Sequence, residues 1–416
     1  MRISSVSIRS FRNIRECSFY PNPNINFLVG PNAQGKTSIL EAIGYLATLR
    51  SFRKAKPAEL LNYESNLSDI RCQVSSHELT EADWKSDLAV IFQRQGGGSV
   101  IKQALINGKP CPSVTQYLSQ RSKNLAVEFS ACFHAVTFNP SDHELVRGEP
   151  KQRRDYLNQV ISAEDLGYLS SLKRYQKILE QRNAVLKDPT TRGQASLEPY
   201  NELYDELAAE LTHKRLLWLE KLSLRLNSVL QRIAPEQAKV TSVYASSWVP
   251  ENDDFQCKND GLNGFYFAGH WAPPSLEVLK KEFKIKRLAL ERAEWAAQTS
   301  LQGPNRDDWV LLLGNQPLKV KGSQGEVRSA LLALKLCEIE LFYERTKLKP
   351  VFLLDDFSSE LDRVRRKFLL NFILETDLQV FVTSTERMEA FGRHFQVQSG
   401  SLSLASESSG PSLSAE

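Results

Sequence analysis

The sequence lacks the features that mark several large classes of protein. Its six cysteines include no C-x-x-C pair, so neither a zinc ribbon nor a thioredoxin-like site is indicated. No run reaches the ~18 apolar residues of a transmembrane helix, and the amino-terminal residues lack the apolar core of a signal peptide. With 41% hydrophobic and 25% charged residues, the composition is typical of soluble globular proteins. We expect a cytoplasmic protein without a membrane partner.

Strong charge of one sign is also missing. A net charge of +4 over 416 residues does not by itself indicate nucleic-acid binding, so contacts with DNA would have to come from local patches. Each of three basic clusters is compatible with phosphate contacts or with a solvated helix face. They are Arg147, Lys151, Arg153 and Arg154; Lys280, Lys281, Lys284, Lys286 and Arg287; and Arg50, Arg53, Lys54 and Lys56.

The predicted elements favour an α/β fold. Ile25–Val29 is predicted as a strand that ends at a glycine-rich loop, and a helix is predicted directly after that loop. The apolar runs Val351–Leu354 and Gln379–Thr383 are typical of parallel strands that are buried on both faces. Pro317–Val320 is a further predicted strand.

We expect two lobes and a tail. Residues 1–110 and 301–398 are assigned to a discontinuous α/β head, and residues 111–300 to a mostly helical second lobe. Pro199 is expected to separate two helices of that lobe, which lacks the sustained heptads of a long coiled coil. The serine-rich residues 399–416 are expected to be disordered.

The glycine loop indicates a nucleotide site. It fits the pattern G-x-x-x-x-G-K-[ST], in which glycines let backbone N–H groups surround phosphates. Lys36 would contact the β- and γ-phosphates, and the Thr37 hydroxyl would ligate Mg²⁺. The sequence therefore predicts binding of ATP with Mg²⁺ by the loop and the residue after it, namely Gly30, Pro31, Asn32, Ala33, Gln34, Gly35, Lys36, Thr37 and Ser38.

The strand Val351–Leu354 is followed by two acids. A carboxylate at the end of an apolar strand lies beside the metal in such sites. Asp355 is predicted to orient Mg²⁺ and its waters, and Asp356 to polarise the attacking water. An Asp pair can also merely end a strand, but the glycine loop favours a catalytic set of Lys36, Asp355 and Asp356.

Two turns complete the candidate site. Ser323, Gln324, Gly325 and Glu326 stand at the start of a predicted helix. A hydroxyl and backbone amides there would suit either an anion site or a simple helix cap. The glycine loop is already predicted to bind the triphosphate of its own chain. A second phosphate-binding turn is therefore expected to face a triphosphate held by another copy. Ser359–Asp362 is suited to the same interface.

In this order and spacing, the four elements resemble those of the ABC-type ATPases. Gly30–Thr37 is similar to their Walker A loop, Ser323–Glu326 to their signature motif, Leu353–Asp356 to their Walker B strand and Ser359–Asp362 to their D-loop. The resemblance implies that two ATP molecules are sandwiched between two heads. Asp356 stands where these ATPases usually have Glu, and its shorter side chain implies slow hydrolysis.

Other stretches resemble the RecF family of bacterial recombination mediators. They are Ser10–Asn13, Arg50–Arg53, Phe138–Asp142, Gly148–Arg154, Tyr175–Leu186 and Gly303–Asp308, and the resemblance extends to about residue 398. The sequence departs from the family pattern at Asn305, where His is usual, and at Glu326, where Gln is usual. Arg12 is a candidate for contact with ATP or for a salt bridge at the surface of the head.

The family resemblance implies an SMC-like head without a long coiled coil and a homodimer that forms on ATP. It implies binding of single-stranded and double-stranded DNA at junctions or gaps, with weak, DNA-stimulated ATP hydrolysis as a switch. It also implies work with RecO-like and RecR-like proteins to load RecA recombinase in DNA repair and replication.

Two rival functions share part of this pattern. The ATP-driving subunit of a membrane transporter has the four ATP motifs, but it does not need the helical and basic insertion at 110–300. A GTPase or a small-molecule kinase is less compatible, because no Asn-Lys-x-Asp motif is present and the Ser323 turn would have no use in it.

Overall fold

The computed structural model describes residues 1–76, 84–120, 133–188, 194–249, 265–268, 272–314, 316–356, 362–387 and 392–408. Its strands are β1 (Arg2–Phe11), β2 (Ile14–Phe19), β3 (Ile25–Val29), β4 (Leu67–Ser76), β5 (Trp84–Arg94), β6 (Val100–Ile106), β7 (Lys109–Cys111), β8 (Ala135–Phe138), β9 (Val240–Ser246), β10 (Phe265–Ala268), β11 (Asp308–Leu313), β12 (Gln316–Pro317), β13 (Val351–Leu354), β14 (Val380–Ser384), β15 (Gly392–Gln398) and β16 (Ser401–Ser408).

Its helices are α1 (Lys36–Thr48), α2 (Pro57–Leu60), α3 (Val114–Gln120), α4 (Glu144–Arg147), α5 (Pro150–Glu164), α6 (Leu166–Lys187), α7 (Gln194–Ile233), α8 (Leu276–Ala297), α9 (Leu318–Lys321), α10 (Gln324–Thr346) and α11 (Arg363–Thr376). A 3-10 turn covers Pro140–His143. Helices and strands interleave along the chain, and the predicted α/β class is confirmed.

The chain divides into two compact units, 1–142 with 338–416 (unit 1) and 143–337 (unit 2). These limits differ from the lobes expected from the sequence. β8 belongs to unit 1 because it pairs with β13, and β11 belongs to unit 2 because it pairs with β9. Residues 111–142 therefore group with the first unit and residues 301–337 with the second.

A six-stranded sheet of unit 1 positions the nucleotide loop. Its strand order is β16-β15-β3-β14-β13-β8, and the pairs from β15 to β8 are all parallel. β3, β13 and β14 are buried along their whole length, as expected for strands covered on both faces. Because the strands are parallel, the carboxyl ends of β3, β14 and β13 meet at one edge of the sheet, where ligands of such folds bind.

A second sheet of unit 1 is antiparallel, in the order β2-β1-β4-β5-β6-β7. Helix α1 contacts strands of both sheets, and its Tyr45 ring meets Phe92 of β5 edge-on at 5.2 Å. Ile39, Leu40 and Ile43 have no exposed surface. A helix that is apolar on nearly all sides is buried on nearly all sides, so the helix that follows the glycine loop is fixed in the core.

Unit 2 combines the sheet β10-β9-β11-β12 with long helices. α7 has 40 residues and packs against α6 and α8. A buried ion pair joins α8 to α7, because Arg287 donates to both carboxylate oxygens of Asp205, at 2.6 and 2.9 Å. A second one joins α6 to α8 through Arg182 and Glu294 at 2.5 Å.

Three sequence predictions need correction. The expected tail begins with a strand, since β16 pairs with β15 as far as residue 408; residues 409–416 lie outside the described part of the chain. The strand predicted at Pro317–Val320 is extended only at Pro317, which pairs within β12 (Gln316–Pro317). Leu318–Lys321 is helical instead, because the Gly322 N–H bonds to the Leu318 carbonyl and closes a turn. Pro199 lies inside α7, where packing along the helix outweighs one lost hydrogen bond.

Candidate nucleotide-binding site

The glycine loop connects β3 with α1 inside unit 1. Lys36 folds back over the loop, and its ammonium donates to the carbonyls of Gly30 at 2.5 Å and Pro31 at 2.8 Å. Gly35 has a φ of +111°, and a Cβ at this position would lie 2.6 Å from the Ile14 side chain. A larger residue would therefore disturb the turn from which α1 begins.

Two residues outside this loop, Asn13 and Ser399, hold it in place, and neither was predicted as a site residue. The Asn13 amide donates to the carbonyl of Ala33 at 3.0 Å, and its Oδ1 accepts from the Ser38 hydroxyl at 2.7 Å. The Gln34 side chain accepts the backbone N–H of Ser399 at 2.6 Å. Supported in this way, the loop can present its N–H groups to an anion without reorganising.

Side chains from α1 and β14 converge on Asp355, which directly follows β13. Its Oδ1 accepts hydrogen bonds from the Thr37 and Thr383 hydroxyls, each at 2.8 Å. Thr383 also accepts the backbone N–H of Asp356 at 2.7 Å. Thr383 was not among the predicted site residues, although it stands at the carboxyl end of a predicted buried strand. That position was the available signal.

Burial influences the protonation of both central groups. Desolvation raises the pKa of Asp355 above its ordinary value of 3.8, although hydrogen bonds from Thr37 and Thr383 lower it. Desolvation also lowers the pKa of Lys36 from 10.5, against the attraction of Asp356 and Asp355. A cation beside Asp355 would stabilise its ionised form, and an anion beside Lys36 would stabilise the ammonium.

A cavity of 890 Å³ opens over the loop and the acids, within the size range of small-molecule and cofactor sites. Most of the predicted site residues of unit 1 line it: Arg12, Asn32, Ala33, Gly35, Lys36, Thr37, Ser38, Asp355 and Asp356. Gly30, Pro31 and Gln34 belong to the loop but do not line the cavity. Arg15, Glu64 and the wholly exposed Tyr63 also line it.

The donor set suits a magnesium ion that is held together with a nucleotide. Among the residues that the structure describes, no group of three or more His, Cys, Asp and Glu could hold a metal ion by itself. Mg²⁺ typically takes one or two protein oxygens and completes its shell with phosphate oxygens and water. The Thr37 hydroxyl and the Asp355 carboxylate, 2.8 Å apart, fit that role.

Arg12 is occupied by an ion pair at the edge of this cavity. Its guanidinium donates to both carboxylate oxygens of the wholly buried Glu41, at 3.0 and 2.8 Å. Ser51 donates to the same carboxylate at 2.5 Å, and Arg53 lies 3.9 Å from it. The salt bridge foreseen for Arg12 is present, and its contact with ATP stays a prediction.

Comparison with known proteins identifies the family. Residues 2–399 match the family profile described as the RecF/RecN/SMC N terminal domain. A DNA replication and repair protein RecF of Desulforamulus reducens is 32% identical over 98% of this chain and 100% of its own length. This chain belongs to the RecF family. The RecF of Geotalea daltonii is 31% identical over 92% of this chain and 93% of its own length.

Solved RecF structures share the fold. The recombination mediator protein RecF-ATP in the RecFOR pathway superposes with a TM-score of 0.81 at 27% identity, over 97% of this chain and 98% of the other. Its RecF-ATPrS counterpart gives a TM-score of 0.78. An SMC head bound to the C-winged helix domain of ScpA shares the fold at 0.52 and 11% identity. The predicted ABC/SMC-type head with its inserted helical lobe is confirmed.

The predicted signature residues of this RecF-family chain form a helix cap in unit 2. The Ser323 hydroxyl accepts the backbone N–H of Glu326 at 3.2 Å, and the Glu326 carboxylate accepts the N–H of Ser323 at 2.8 Å. These bonds from Ser323 lower the pKa of Glu326. Ser323 and Gln324 are exposed, and Gly325 is half-buried, at the start of α10. Contact with the nucleotide of another copy stays a prediction for these four residues.

The last predicted element is only partly described. Ser359, Glu360 and Leu361 lie outside the described residues. Asp362 caps α11 by accepting the backbone N–H of Arg365 at 2.9 Å, and that bond lowers the pKa of its carboxyl. Its role at a dimer interface therefore also stays a prediction.

Two of the candidate DNA contacts are engaged inside the fold. Arg153 is buried and makes two hydrogen bonds of 2.8 Å with Asp308. Arg287 is buried against Asp205. Neither guanidinium can reach a DNA phosphate without breaking a buried ion pair, which would cost about 3–5 kcal/mol. Lys151, Lys281 and other exposed members of the clusters remain candidates.

The transporter alternative has no support from these comparisons, since the relatives are named for DNA replication and repair. None of the described helices is long and apolar enough to cross a membrane.

Proposed function

We propose that this chain is an ATP-dependent DNA-binding protein of recombinational repair and replication-fork maintenance. It is a cytoplasmic protein that binds ATP with Mg²⁺, forms a homodimer on ATP and holds DNA at single-strand/double-strand junctions or gaps. With RecO-like and RecR-like partners it helps to load RecA. Hydrolysis is slow, is stimulated by DNA and resets the dimer.

The observation that carries this proposal is the contact between Thr37 and Asp355, 2.8 Å apart and 318 residues apart in sequence. It joins a phosphate-binding loop to the acid of a buried strand, as a nucleotide–magnesium site requires. Relatives and solved structures of the same family are named for DNA repair and for the RecFOR pathway, and one is a RecF-ATP structure. Chemistry and family thus support the same function.

Each residue of the site has a distinct role in this proposal. Lys36 exchanges its bonds to the Gly30 and Pro31 carbonyls for phosphate oxygens. Thr37 and Asp355 hold Mg²⁺, which when bound offsets the charge of the phosphates. Asp356, next to the metal-binding acid, orients the attacking water.

Two further groups complete the proposed site. Thr383 fixes the Asp355 carboxylate and the Asp356 backbone at once. Ser323 of a second copy would supply the hydroxyl facing the γ-phosphate, so that ATP binding and dimerisation are coupled.

The test compares the wild type with Lys36→Ala. ATP affinity, sedimentation and binding to gapped DNA are measured on the same samples, with and without MgATP. Removal of a charged hydrogen-bond donor costs about 1.5–3 kcal/mol, so ATP affinity should fall on the order of tenfold to a hundredfold. Lys85→Ala, at an exposed lysine of β5 outside the cavity, is the control and should behave like the wild type.

The proposal predicts that the wild type and Lys85→Ala dimerise and bind gapped DNA only with MgATP, and that Lys36→Ala does neither. If Lys36→Ala dimerised and bound gapped DNA like the wild type, nucleotide coupling through this loop would be wrong. If no sample bound DNA, the proposed DNA function would be wrong while the nucleotide site could still be measured through ATP affinity.

A further inference from the structure

Two stretches that the nucleotide site leaves unexplained come together in unit 2. Arg153, near the start of α5, makes its two hydrogen bonds with the carboxylate of Asp308. Its neighbour Arg154 donates to the backbone carbonyl of Asp307 at 2.9 Å. The beginning of α5 is thereby fixed against the segment 303–308.

The segment 303–308 is itself held from the inside. The buried carboxylate of Asp307 accepts hydrogen bonds from the Tyr244 hydroxyl at 2.8 Å and the Ser246 hydroxyl at 2.9 Å. Asn305 accepts the hydroxyl of Tyr175 at 2.5 Å. Side chains that point outward from this segment therefore start from a fixed backbone.

A surface cavity of 620 Å³ lies where the two stretches meet. Its lining consists of Glu149, Pro150, Lys151, Arg154, Asn305 and Arg306. Three of these side chains are cations and one is a carboxylate. In the cap of α5, the Gln152 side chain accepts the backbone N–H of Glu149 at 3.0 Å, and the Glu149 backbone carbonyl accepts the N–H of Gln152 at 3.0 Å. With three cations against one carboxylate, the lining of the cavity keeps an excess of positive charge.

Among the described residues, no carboxylate lies within ion-pair distance of Lys151, Arg154 or Arg306. Arg306 is anchored through its Nε, which donates to the carbonyl of Ser300 at 2.7 Å, and its terminal nitrogens can serve another acceptor. Burial lowers the pKa of Arg154 because part of the hydration of its charge has been lost, and the attraction of Asp308, Asp307 and Asp155 offsets this only in part. An anion would restore the missing interactions.

We propose that this cavity binds a phosphate group of the DNA backbone, with Lys151, Arg154 and Arg306 as its ligands. Arginine forks and a lysine ammonium match phosphate oxygens in charge and geometry, and the start of the 15-residue helix α5 adds positive partial charge. Such contacts hold DNA without reading its sequence. The inference rests on the DNA binding proposed above and locates it within unit 2.

The experiment measures affinity for a labelled gapped duplex with MgATP between 50 and 200 mM KCl. The test variant is Lys151→Gln/Arg306→Gln, which changes two exposed side chains and leaves the buried contacts of Arg154 intact. Arg174→Gln/Lys177→Gln removes the same charge from exposed positions of α6 and is the control. Arg154→Gln is tested separately, with its folding checked by urea unfolding.

Each phosphate contact contributes about one unit to the slope of log affinity against log salt. Because the three cations share one phosphate, the magnitude of the slope for Lys151→Gln/Arg306→Gln should fall by about one. Its affinity at 100 mM KCl should fall on the order of tenfold to a hundredfold, while the control keeps the wild-type slope. A test variant with the wild-type slope and affinity would overturn the proposal.

A second arm separates the sources of phosphate. Inorganic phosphate is titrated at constant ionic strength, and thermal unfolding is recorded for the wild type and both double variants. If phosphate stabilised only proteins with Lys151 and Arg306 while DNA affinity was unchanged, the cavity would take a free phosphate and the DNA assignment would be wrong. If the wild type itself bound no DNA, the proposed function would fail. This outcome can be told apart from failure of the cavity proposal, because it is seen with the wild type alone and needs no variant.

Discussion

At the scale of single residues, Asp307 shows how an acid can serve as a structural centre. It is wholly buried in unit 2, where it receives hydrogen bonds from Tyr244, Ser246 and Trp248. Burial raises the pKa of its carboxyl from 3.8 to about 6, and the hydrogen bonds from its neighbours only partly offset that effect. The folded protein therefore holds a proton on Asp307 at a pH where the unfolded chain has lost it.

This pKa predicts a pH dependence of stability. A raised carboxyl pKa favours the folded state fully below pH 3.8, and the advantage is lost as pH rises through about 6. Asp307→Asn should remove this dependence, because the amide does not titrate and its oxygen can still accept from Tyr244 while Ser246 donates elsewhere. We expect the free energy of unfolding of the wild type, relative to the variant, to fall on the order of 3 kcal/mol between pH 4 and pH 7.

The measurement is urea unfolding of both proteins across that pH range. The difference between them is the readout, since all other groups titrate in both proteins. A difference that does not change with pH would show that Asp307 does not titrate as this environment implies.

At the scale of elements, the hairpin of β15 and β16 supports the nucleotide loop. Gly400, in its turn, donates its backbone N–H to the carbonyl of Gln34 at 3.0 Å. A Cβ on Gly30 would lie 2.2 Å from the Val397 carbonyl oxygen, and one on Gly400 would lie 2.2 Å from the Asn13 carbonyl oxygen. The backbones of the loop, the hairpin and the segment at Asn13 thus approach one another too closely for a side chain at Gly30 or Gly400. The loop conformation therefore depends on the hairpin.

Gly400→Ala should therefore affect nucleotide binding. Gly400 has a φ of +74° and faces the Asn13 backbone, so alanine would add both backbone strain of about 1–2 kcal/mol and a clash that pushes the turn away from Gln34. We expect a stability loss of about 2–3 kcal/mol together with weaker ATP binding, measured by urea unfolding and equilibrium titration.

Gly97→Ala is the matched control. Gly97 also has a positive φ, +91°, but its Cβ would meet nothing within 4 Å. This variant should lose about 1 kcal/mol of stability and bind ATP like the wild type. If the two variants bound ATP equally well, the hairpin would not support the loop.

At the scale of the whole molecule, the candidate nucleotide site lies within one of the two units. Every residue that lines the nucleotide cavity falls within 1–142 or 338–416, whereas the predicted signature residues Ser323–Glu326 fall in unit 2. A bound nucleotide should thus stabilise unit 1 directly. If a bound nucleotide also stabilised unit 2 of the same copy, the two units would have to be coupled. If it stabilised unit 2 of another copy, the protein would have to dimerise.

This division predicts a measurable linkage. MgATP at a hundred times its dissociation constant should stabilise unit 1 of the wild type by about 2.7 kcal/mol, detected as a shift in thermal or urea unfolding. ATP with EDTA should stabilise it less, because Thr37 and Asp355 then lack the ion that joins them to the phosphates. Equal stabilisation of Lys36→Ala at the same ATP concentration would contradict a nucleotide site at this loop.

The amino-acid sequence by itself determined the nucleotide loop, the acid pair and the α/β class. Gly30–Thr37 is one contiguous segment whose chemistry follows from local residue types, and β3 and β13 were visible as short apolar runs before a loop. Such features need only local periodicity and composition.

The tertiary structure alone decided which distant residues share a site. Strand order placed β14 between β3 and β13 and so brought Thr383 to Asp355, whereas hydrophobic pattern marks a strand without naming its neighbours. Whether a cationic side chain is available to bind a phosphate depends on which residues pack against it. Asp308 and Asp205 occupy Arg153 and Arg287, while Lys151 and Arg306 meet at an open cavity, because long-range packing, not local sequence, brings charges together.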